Sequence, residues 1–442
     1  MQLENFVKTI PANVISIMRK LERRGYEAYI VGGAVRDFLF GLEPSDYDIF
    51  TNATGDQILN VFSSGKVLGG EERQAKILTV VVDGVEVSQY RANGNRTETA
   101  TTLDEHLATC DFTMNAMAVG LNGILFDYYN GQDDIENKIL CCVYLPSDRF
   151  KEDPLRLLRG VRFCNKYDLT WESLTSKHFE ENLHLVNALP KERVSDELKK
   201  ILPYGIVGLN EVFQHIFPAY NKMQGVDGGM YHNETVLEHA VATYEAMLKI
   251  TDNPLLLMVA LLHDVGKPRA LHTDNGNNTF HGHEVVGANM VADWMKEYKF
   301  SNKEIEYVRG MIMYHMYDTT MGKKSALRFF DKLDRAGIPV EHMLFLRYAD
   351  ANGNFAKKPF KFAEKTNDIV KRYYEYKYGK EPFRVPDLEI NGYDCMKIGL
   401  EGKDIGEKLN EALELVQDGL IENNRRELMS WLRNSVELKE IL

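Results

Sequence analysis

An apolar run, Tyr29-Ile-Val31, passes directly into Gly32-Gly33 and then Ala-Val-Arg-Asp37, and nine residues further on stands Asp46-Tyr-Asp48. That order holds the chain to a strand, a glycine turn and a helix. Glycine lets the backbone pass close to a phosphate, and the N–H groups of such a turn point at anions. Arg36 adds a fixed positive charge on the helix. Asp46 and Asp48 are two apart, so an extended segment turns both carboxylates to one face. Two carboxylates so placed repel each other unless a divalent cation lies between them. A phosphate cradle beside a two-carboxylate metal site is what nucleotidyl transfer requires.

The 442 residues are enough for roughly three domains. A hydrophobic share of 44% with 10% aromatics supports packed cores and excludes a disordered chain. No apolar run approaches the ~20 residues of a membrane helix, and Met1-Gln-Leu-Glu-Asn-Phe6 is no signal peptide. Cys110, Cys141, Cys142, Cys164 and Cys395 lack metal-ligand spacing; their odd number points to reduced thiols and a cytoplasmic setting. A net charge of −12 argues against broad, sequence-blind binding to a polyanion such as DNA. Two stretches are locally basic, Arg149–Arg162 and Lys357–Lys380 (Lys357, Lys358, Lys361, Lys365, Lys371, Arg372, Lys377, Lys380). The second reads either as a solvated face or as a nucleic-acid contact.

Val14, Ile17, Met18 and Leu21 recur at helical spacing, and Gly25 ends the pattern. From about 28 to 135 short β-rich runs dominate: Tyr29–Val31, Leu78–Val82, Val85–Val87, Met117–Val119 and Ile124–Asp127, with a helical stretch at Gly55–Phe62. The expected fold is an α+β head, a small mixed sheet with helices, followed by all-α segments. After about 138 no further strands are expected. Leu155–Phe163 and Arg193–Leu202 carry helical spacing, a histidine-rich helical segment spans 228–355, and 385–442 is a last helical block. With linkers at Gly225–Gly229 and Lys357–Pro359, the expected division is a head (1–138), a neck (139–225), a body (226–356) and a tail (357–442).

Further candidates lie along the head and neck. Glu86 alternates with Val85 and Val87, and reads as a third metal carboxylate or as an exposed strand residue. Asp111 and Asn115 are four apart, hence on one helical face, fit to hold a ribose or to cap a helix. In Glu152-Asp-Pro-Leu-Arg-Leu-Leu-Arg-Gly-Val-Arg162, Pro154 suits a first helical turn, which places Glu152 and Asp153 at the positive end. Arg156, Arg159 and Arg162 recur every three residues as one cationic stripe. Asp153 accepts and Arg156 donates, so together they present the pattern of a base edge; the alternative is an i,i+3 ion pair on a solvated helix.

Gly32-Gly-Ala-Val-Arg-Asp37, Asp46-x-Asp48, Asp111-Phe-Thr-Met-Asn-Ala116, Glu152-Asp-Pro-Leu-Arg-Leu-Leu-Arg159 and Glu192-Arg193…Glu197-Leu198 stand in one order over roughly the first 200 residues. In this the chain resembles the class II tRNA nucleotidyltransferase and bacterial poly(A) polymerase family. The resemblance implies catalytic magnesium on Asp46 and Asp48, and the incoming triphosphate held by Gly33 and Arg36 beside Gly32. It further implies an amino-acid template of Asp153 and Arg156, with Arg159 and Arg162 supporting the nucleotide. The implied reaction is attack of a tRNA 3′-hydroxyl on the α-phosphate of CTP or ATP, building CCA and releasing pyrophosphate. The chain departs from the family at Thr109-Cys110, where two arginines usually stand. That departure keeps A-only or CC-only addition and poly(A) synthesis open, with Arg91 or Arg96 as compensating cations.

A second constellation follows: Glu238-His239, Leu262-His263-Asp264, His281-Gly-His283-Glu284, Tyr314-His315 and Ala349-Asp350. Clustered imidazoles and carboxylates behind an apolar helix (Leu255–Leu262) are ligands rather than core residues. This pattern resembles the HD-domain metal phosphohydrolases. The resemblance implies His239, His263, Asp264 and Asp350 as ligands, His283 and His315 as extra positions for a second metal, and activity on RNA 3′-end phosphates. Mixed N/O ligands leave the metal open between a transition ion and Mg²⁺. A decayed head with a working HD site is the remaining enzyme reading. Ile390–Asp394 through Gly419 resembles the tail of the same branch, a tRNA grip or a packing module.

Overall fold

A computed structural model describes residues 3–68, 79–92, 100–229, 233–274, 277–354, 362–378, 382 and 384–441. Leu78, Arg96, Lys357, Lys358, Lys361, Lys380 and the expected linker at 357–359 lie outside these residues, and of Lys365 only the backbone is described. The chain divides into two compact units, Met1–Asn221 and Lys222–Leu442, so the Gly225–Gly229 linker falls just past the observed boundary.

In the first unit, helix Ala12–Arg23 buries Val14, Ile17, Met18 and Leu21, the stripe its spacing predicts. A seven-stranded sheet follows, built of β1 (Tyr29–Val31), β2 (Ile49–Thr51), β3 (Lys66–Val67), β4 (Thr79–Val82), β5 (Val85–Gln89), β6 (Met117–Val119) and β7 (Leu125–Asp127). Its order is β3-β4-β5-β2-β1-β6-β7. β2 and β5 run parallel and the other neighbours antiparallel. β2 and β3 were not among the expected strands. The strands also do not stop at 138. Ile139–Leu140 pairs with Thr170–Trp171, and His272–Asp274 pairs with Asn277–Thr279. Helices Leu155–Tyr167 and Lys191–Ile201 pack together beyond the sheet.

The second unit is helical apart from its hairpin. Helix Pro254–Leu262 is buried from Leu256 to Leu262, an all-round apolar element that only a core position accepts. Helices Val236–Leu248 and Val340–Gly353 pack on each other, as do His283–Glu297 and Asn302–Tyr314. The last helices, Gly392–Lys397, Lys403–Gln417 and Arg425–Ile441, share a core of Leu388, Ile390, Cys395, Leu400, Leu409, Ala412, Leu428 and Leu432. Among the described residues no helix is long and apolar enough to cross a membrane.

Candidate functional site

Gly32 ends β1 at φ +76°, a conformation L side chains rarely adopt. Its N–H donates to the Met117 carbonyl at 3.1 Å, which turns the chain out of the sheet into helix Gly33–Leu39. Arg36 on that helix is buried. Its Nε and Nη2 donate to Asp37 Oδ1 at 2.9 and 2.7 Å, and its Nη1 donates to Asn115 Oδ1 at 2.7 Å. The Phe163 and Tyr167 rings lie 5.1 and 4.9 Å from its Cζ, and Tyr167 Oη donates to Asp37 at 2.6 Å. Arg36 is thus engaged on every side and ties its helix to Leu155–Tyr167.

Asp48 immediately precedes β2, and its carbonyl accepts from Val31 N–H at 3.4 Å. The parallel register sets Ile49 opposite Val87, which brings Glu86 beside Asp48 on the neighbouring strand. Glu86 is exposed between buried Val85 and Val87. The Asp48 carboxyl is pushed up to about 6, by burial first, then by Asp46 and Glu86, with Arg91 acting the other way. Three acidic groups therefore share one field, with Asp46 and Glu86 exposed and Asp48 partly covered. The crowding fits a divalent cation, which would relieve it.

The Asp111–Asn115 pair forms, but not on a helical face. Asn115 closes a single 3-10 turn, Thr113–Asn115, and its Nδ2 donates to Asp111 Oδ1 at 2.7 Å. Arg159 Nε donates to Asp111 Oδ2 at 2.6 Å. Burial raises the Asp111 carboxyl, yet Arg159 and these hydrogen bonds outweigh it and hold the group below the usual range. One polar chain thus runs Asp37–Arg36–Asn115–Asp111–Arg159.

The neck corrects two expectations. Glu152 closes helix Pro146–Glu152 instead of opening the next one, because Pro154 is the N-cap of Leu155–Tyr167; Asp153 Oδ1 accepts from Leu155 N–H at 3.2 Å. The arginine stripe is not a free cationic face either. Buried Arg156 pairs with Glu152 at 2.8 Å, Arg159 with Asp111, and Arg162 with Glu197 at 2.5 Å. Asp153 pairs with Arg193 at 3.3 Å, so the two members of the base-edge pair are each held by another partner. Burying these cations requires the carboxylates, which helical period alone does not reveal. Arg149 was missed as a site residue. Its Nη2 donates to the Thr109 and Cys110 carbonyls at 2.8 and 2.6 Å, a guanidinium at the segment that lacks the arginine pair. Arg91 reaches Thr79 Oγ1 at 3.3 Å and Asp48 through its charge.

In the second unit all six expected ligands converge. Each imidazole turns Nδ1 to a backbone carbonyl: His239 to Gly353 (3.3 Å), His263 to Ala260 (2.9 Å), His283 to Phe280 (2.8 Å), His315 to Ile312 (2.7 Å). A carbonyl only accepts, so Nδ1 donates to it, and Nε2 is the ring atom that faces the cluster and would meet a metal. His239, His263 and Asp264 offer ligand atoms within 4.8 Å of one another, as do Asp264, His283 and His315. Asp264, shared by both sets, bridges His283 Nε2 at 3.1 Å and His263 Nε2 at 3.3 Å. Asp350 Oδ1 lies 3.0 Å from His239 Nε2. Burial opposes the Asp264 charge, but His263 and Lys267 hold its carboxyl well below the ordinary value. Burial pushes His315 down to about 3, a neutral ring ready to ligate. The donor set fits one or two divalent ions.

Local folding explains the convergence. His263 and His315 are the C-caps of Pro254–Leu262 and Asn302–Tyr314, and Gly266 lets the first pass close to His283–Glu297, since a Cβ there would overlap the His283 carbonyl oxygen. A cavity of about 520 Å³ opens on the set, lined also by Lys267, Phe280, His281 and Arg347. Lys267, missed from the sequence, pairs with Asp264 at 2.6 Å. Its place three residues after Asp264 was the available signal.

Residues 28–141 match the poly A polymerase head domain, and residues 236–347 match the HD domain. The chain joins a poly(A) polymerase head to an HD domain. Poly(A) polymerase I of Haemophilus influenzae is 30% identical over 274 residues, covering 56% of this chain and 61% of that protein. The CCA-adding enzyme of Geobacillus kaustophilus is 36% identical over 198 residues, covering 42% of this chain and 48% of that enzyme. The chain thus spans about half to three fifths of these relatives' length. The Bacillus stearothermophilus CCA-adding enzyme in complex with CTP superposes with a TM-score of 0.64 at 21% identity, over 97% of this chain and 98% of that one. The Thermotoga maritima CCA-adding enzyme complexed with tRNA gives 0.60 at 18% identity, over 99% of each chain. These likenesses give the fold, and the expected head and HD domain are both borne out.

Proposed function

We propose that the head is a template-independent tRNA nucleotidyltransferase that adds CMP and AMP from CTP and ATP to the tRNA 3′ end and releases pyrophosphate. The observation that carries it is Asp48, crowded by Asp46 and Glu86 on the strand beside the Gly32 turn. Asp46 and Asp48 would hold Mg²⁺, which supplies charge neutralisation and polarisation at the α-phosphate. The Gly32-Gly33 turn admits the triphosphate backbone-close, and Arg36 and Asn115 fix the wall beside it. Asp153 and Arg156 read the base once Arg193 and Glu152 release them, while Arg159 and Arg162 hold the helix that carries them. Relatives that are CCA-adding enzymes, and a structural neighbour holding CTP, support the reading.

A second reading, poly(A) or partial CCA synthesis, is favoured by Thr109-Cys110 and by the poly(A) polymerase relative. The division into head (1–138), neck (139–225), HD body (226–356) and tRNA-binding tail (357–442) belongs to this proposal, with the HD centre as a metal phosphohydrolase for RNA 3′-end phosphates. Five free cysteines support a cytoplasmic setting. The test is incubation with tRNA lacking its 3′ end, Mg²⁺ and labelled CTP and ATP, alone and together, resolved to one nucleotide. Addition of C, C and A that then stops is expected. A-only or C-only addition supports the second reading, and no addition overturns both.

A further inference from the structure

Among the described residues, two donor atoms near the HD centre, Arg347 Nε and the Tyr317 hydroxyl, have no acceptor. Arg347 stands one turn before Asp350 on helix Val340–Gly353 and lines the cavity over the ligand set. Its Nη1 reaches Asp350 Oδ2 at 3.3 Å, and its Nε is buried without an acceptor. Tyr317 is buried, its hydroxyl also lacks a partner, and it lies in the combined field of Arg347 and Asp350. Lys267, the other cation of the cavity, is already paired with Asp264 and covers the Phe280 ring at 5.5 Å. Buried polar groups in folded proteins are almost always satisfied, and exceptions mark a missing ion, water or ligand. A guanidinium whose side chain is 30% exposed in a cavity beside a metal set matches a phosphoryl group: Arg recognises two oxygens at once, in a fixed fork.

Resting on the reading of this centre as a metal phosphohydrolase, we propose that Arg347 receives the phosphoryl oxygens of the substrate. A terminal phosphate has three free oxygens, enough to face the ligand set with one and still offer two to Arg347. A phosphodiester has two, so Arg347 biases the cavity toward phosphomonoesters. The rival role is structural: Arg347 merely orients Asp350.

The experiment uses the full chain carrying Asp46→Ala and Asp48→Ala, so that metal is read at the HD centre alone. Mn²⁺ is titrated calorimetrically, then inorganic phosphate into the Mn²⁺-loaded protein. In Arg347→Gln, Mn²⁺ affinity is expected to stay within about twofold while phosphate affinity falls about 10- to 50-fold. Arg347→Lys restores part of the loss, since it keeps the charge and loses the fork. Unchanged phosphate affinity in Arg347→Gln overturns the proposal and leaves the hydrolase reading standing. Mn²⁺ and phosphate affinities falling together also overturn it, in favour of the orienting role. Absence of both Mn²⁺ and phosphate binding in the parent protein overturns the hydrolase reading, and the proposal with it.

Discussion

Asp46 stands exposed in the loop before a short strand, with Asp48 only partly covered, whereas His239, His263, Asp264, His283 and His315 are all buried. The two sites solve the metal problem in opposite ways. Mg²⁺ is commonly held by one or two carboxylates together with the substrate's own phosphates, so an open carboxylate pair waits for a nucleotide to complete it. Buried imidazoles with their Nδ1 atoms fixed on carbonyls form a nearly finished ligand shell, so on the proposed reading the HD centre would take a metal without substrate. The head is organised by electrostatic tension that the substrate relieves, and the HD centre by preformed geometry.

Breaking the polar chain that supports the head gives the largest effect. Asp111→Ala leaves Arg159 unpaired beside a buried Asn115 and is expected to cost about 2–3 kcal/mol, reduced from a fully buried pair because Arg159 is partly exposed. Urea unfolding checks it, and a loss under about 0.5 kcal/mol would show that the chain of hydrogen bonds carries little.

Gly266→Ala probes the opposite site. The added Cβ overlaps the His283 carbonyl oxygen, costing about 2 kcal/mol and lowering Mn²⁺ uptake at the HD centre while nucleotide addition persists. Normal uptake would mean that the helices separate without disturbing the ligands.

The smallest effect is a pH signature. The folded Asp48 carboxyl titrates near 6, above its ordinary 3.8, so the native state binds the proton more tightly than the unfolded chain. Its ionisation therefore erodes stability as pH rises from about 4 through 6. Without Mg²⁺, Asp48→Asn is expected to stabilise the protein by about 1 kcal/mol at pH 8, after allowing for solvent screening, and by nothing below pH 4. Thermal melts in chelator at the two pH values read this, and a gain that persists at low pH would remove the charge explanation.

Much of this was legible in advance. The stripe of Val14, Ile17, Met18 and Leu21 announced its helix, and the six residues that converge in the second unit were picked out by the resemblance to the HD domain. β2 escaped, although Asp48 beside it was readable from spacing. The carboxylate partners of Arg156 and Arg162 escaped too. Glu152 and Glu197 meet them through helix ends and helix packing, which local spacing does not encode. Arg347 was silent for the same cause: an orphaned Nε exists only once the cavity has formed.

On the proposed reading the two sites would run separate chemistries on separate metals. The measurement that separates them is stepwise nucleotide addition to tRNA lacking its 3′ end, beside phosphomonoester hydrolysis, in Asp46→Ala and in His263→Ala. Asp46→Ala is expected to lower addition at least about 1,000-fold and spare hydrolysis, and His263→Ala to do the reverse. Addition that survives Asp46→Ala, or that falls in both variants alike, would contradict the account.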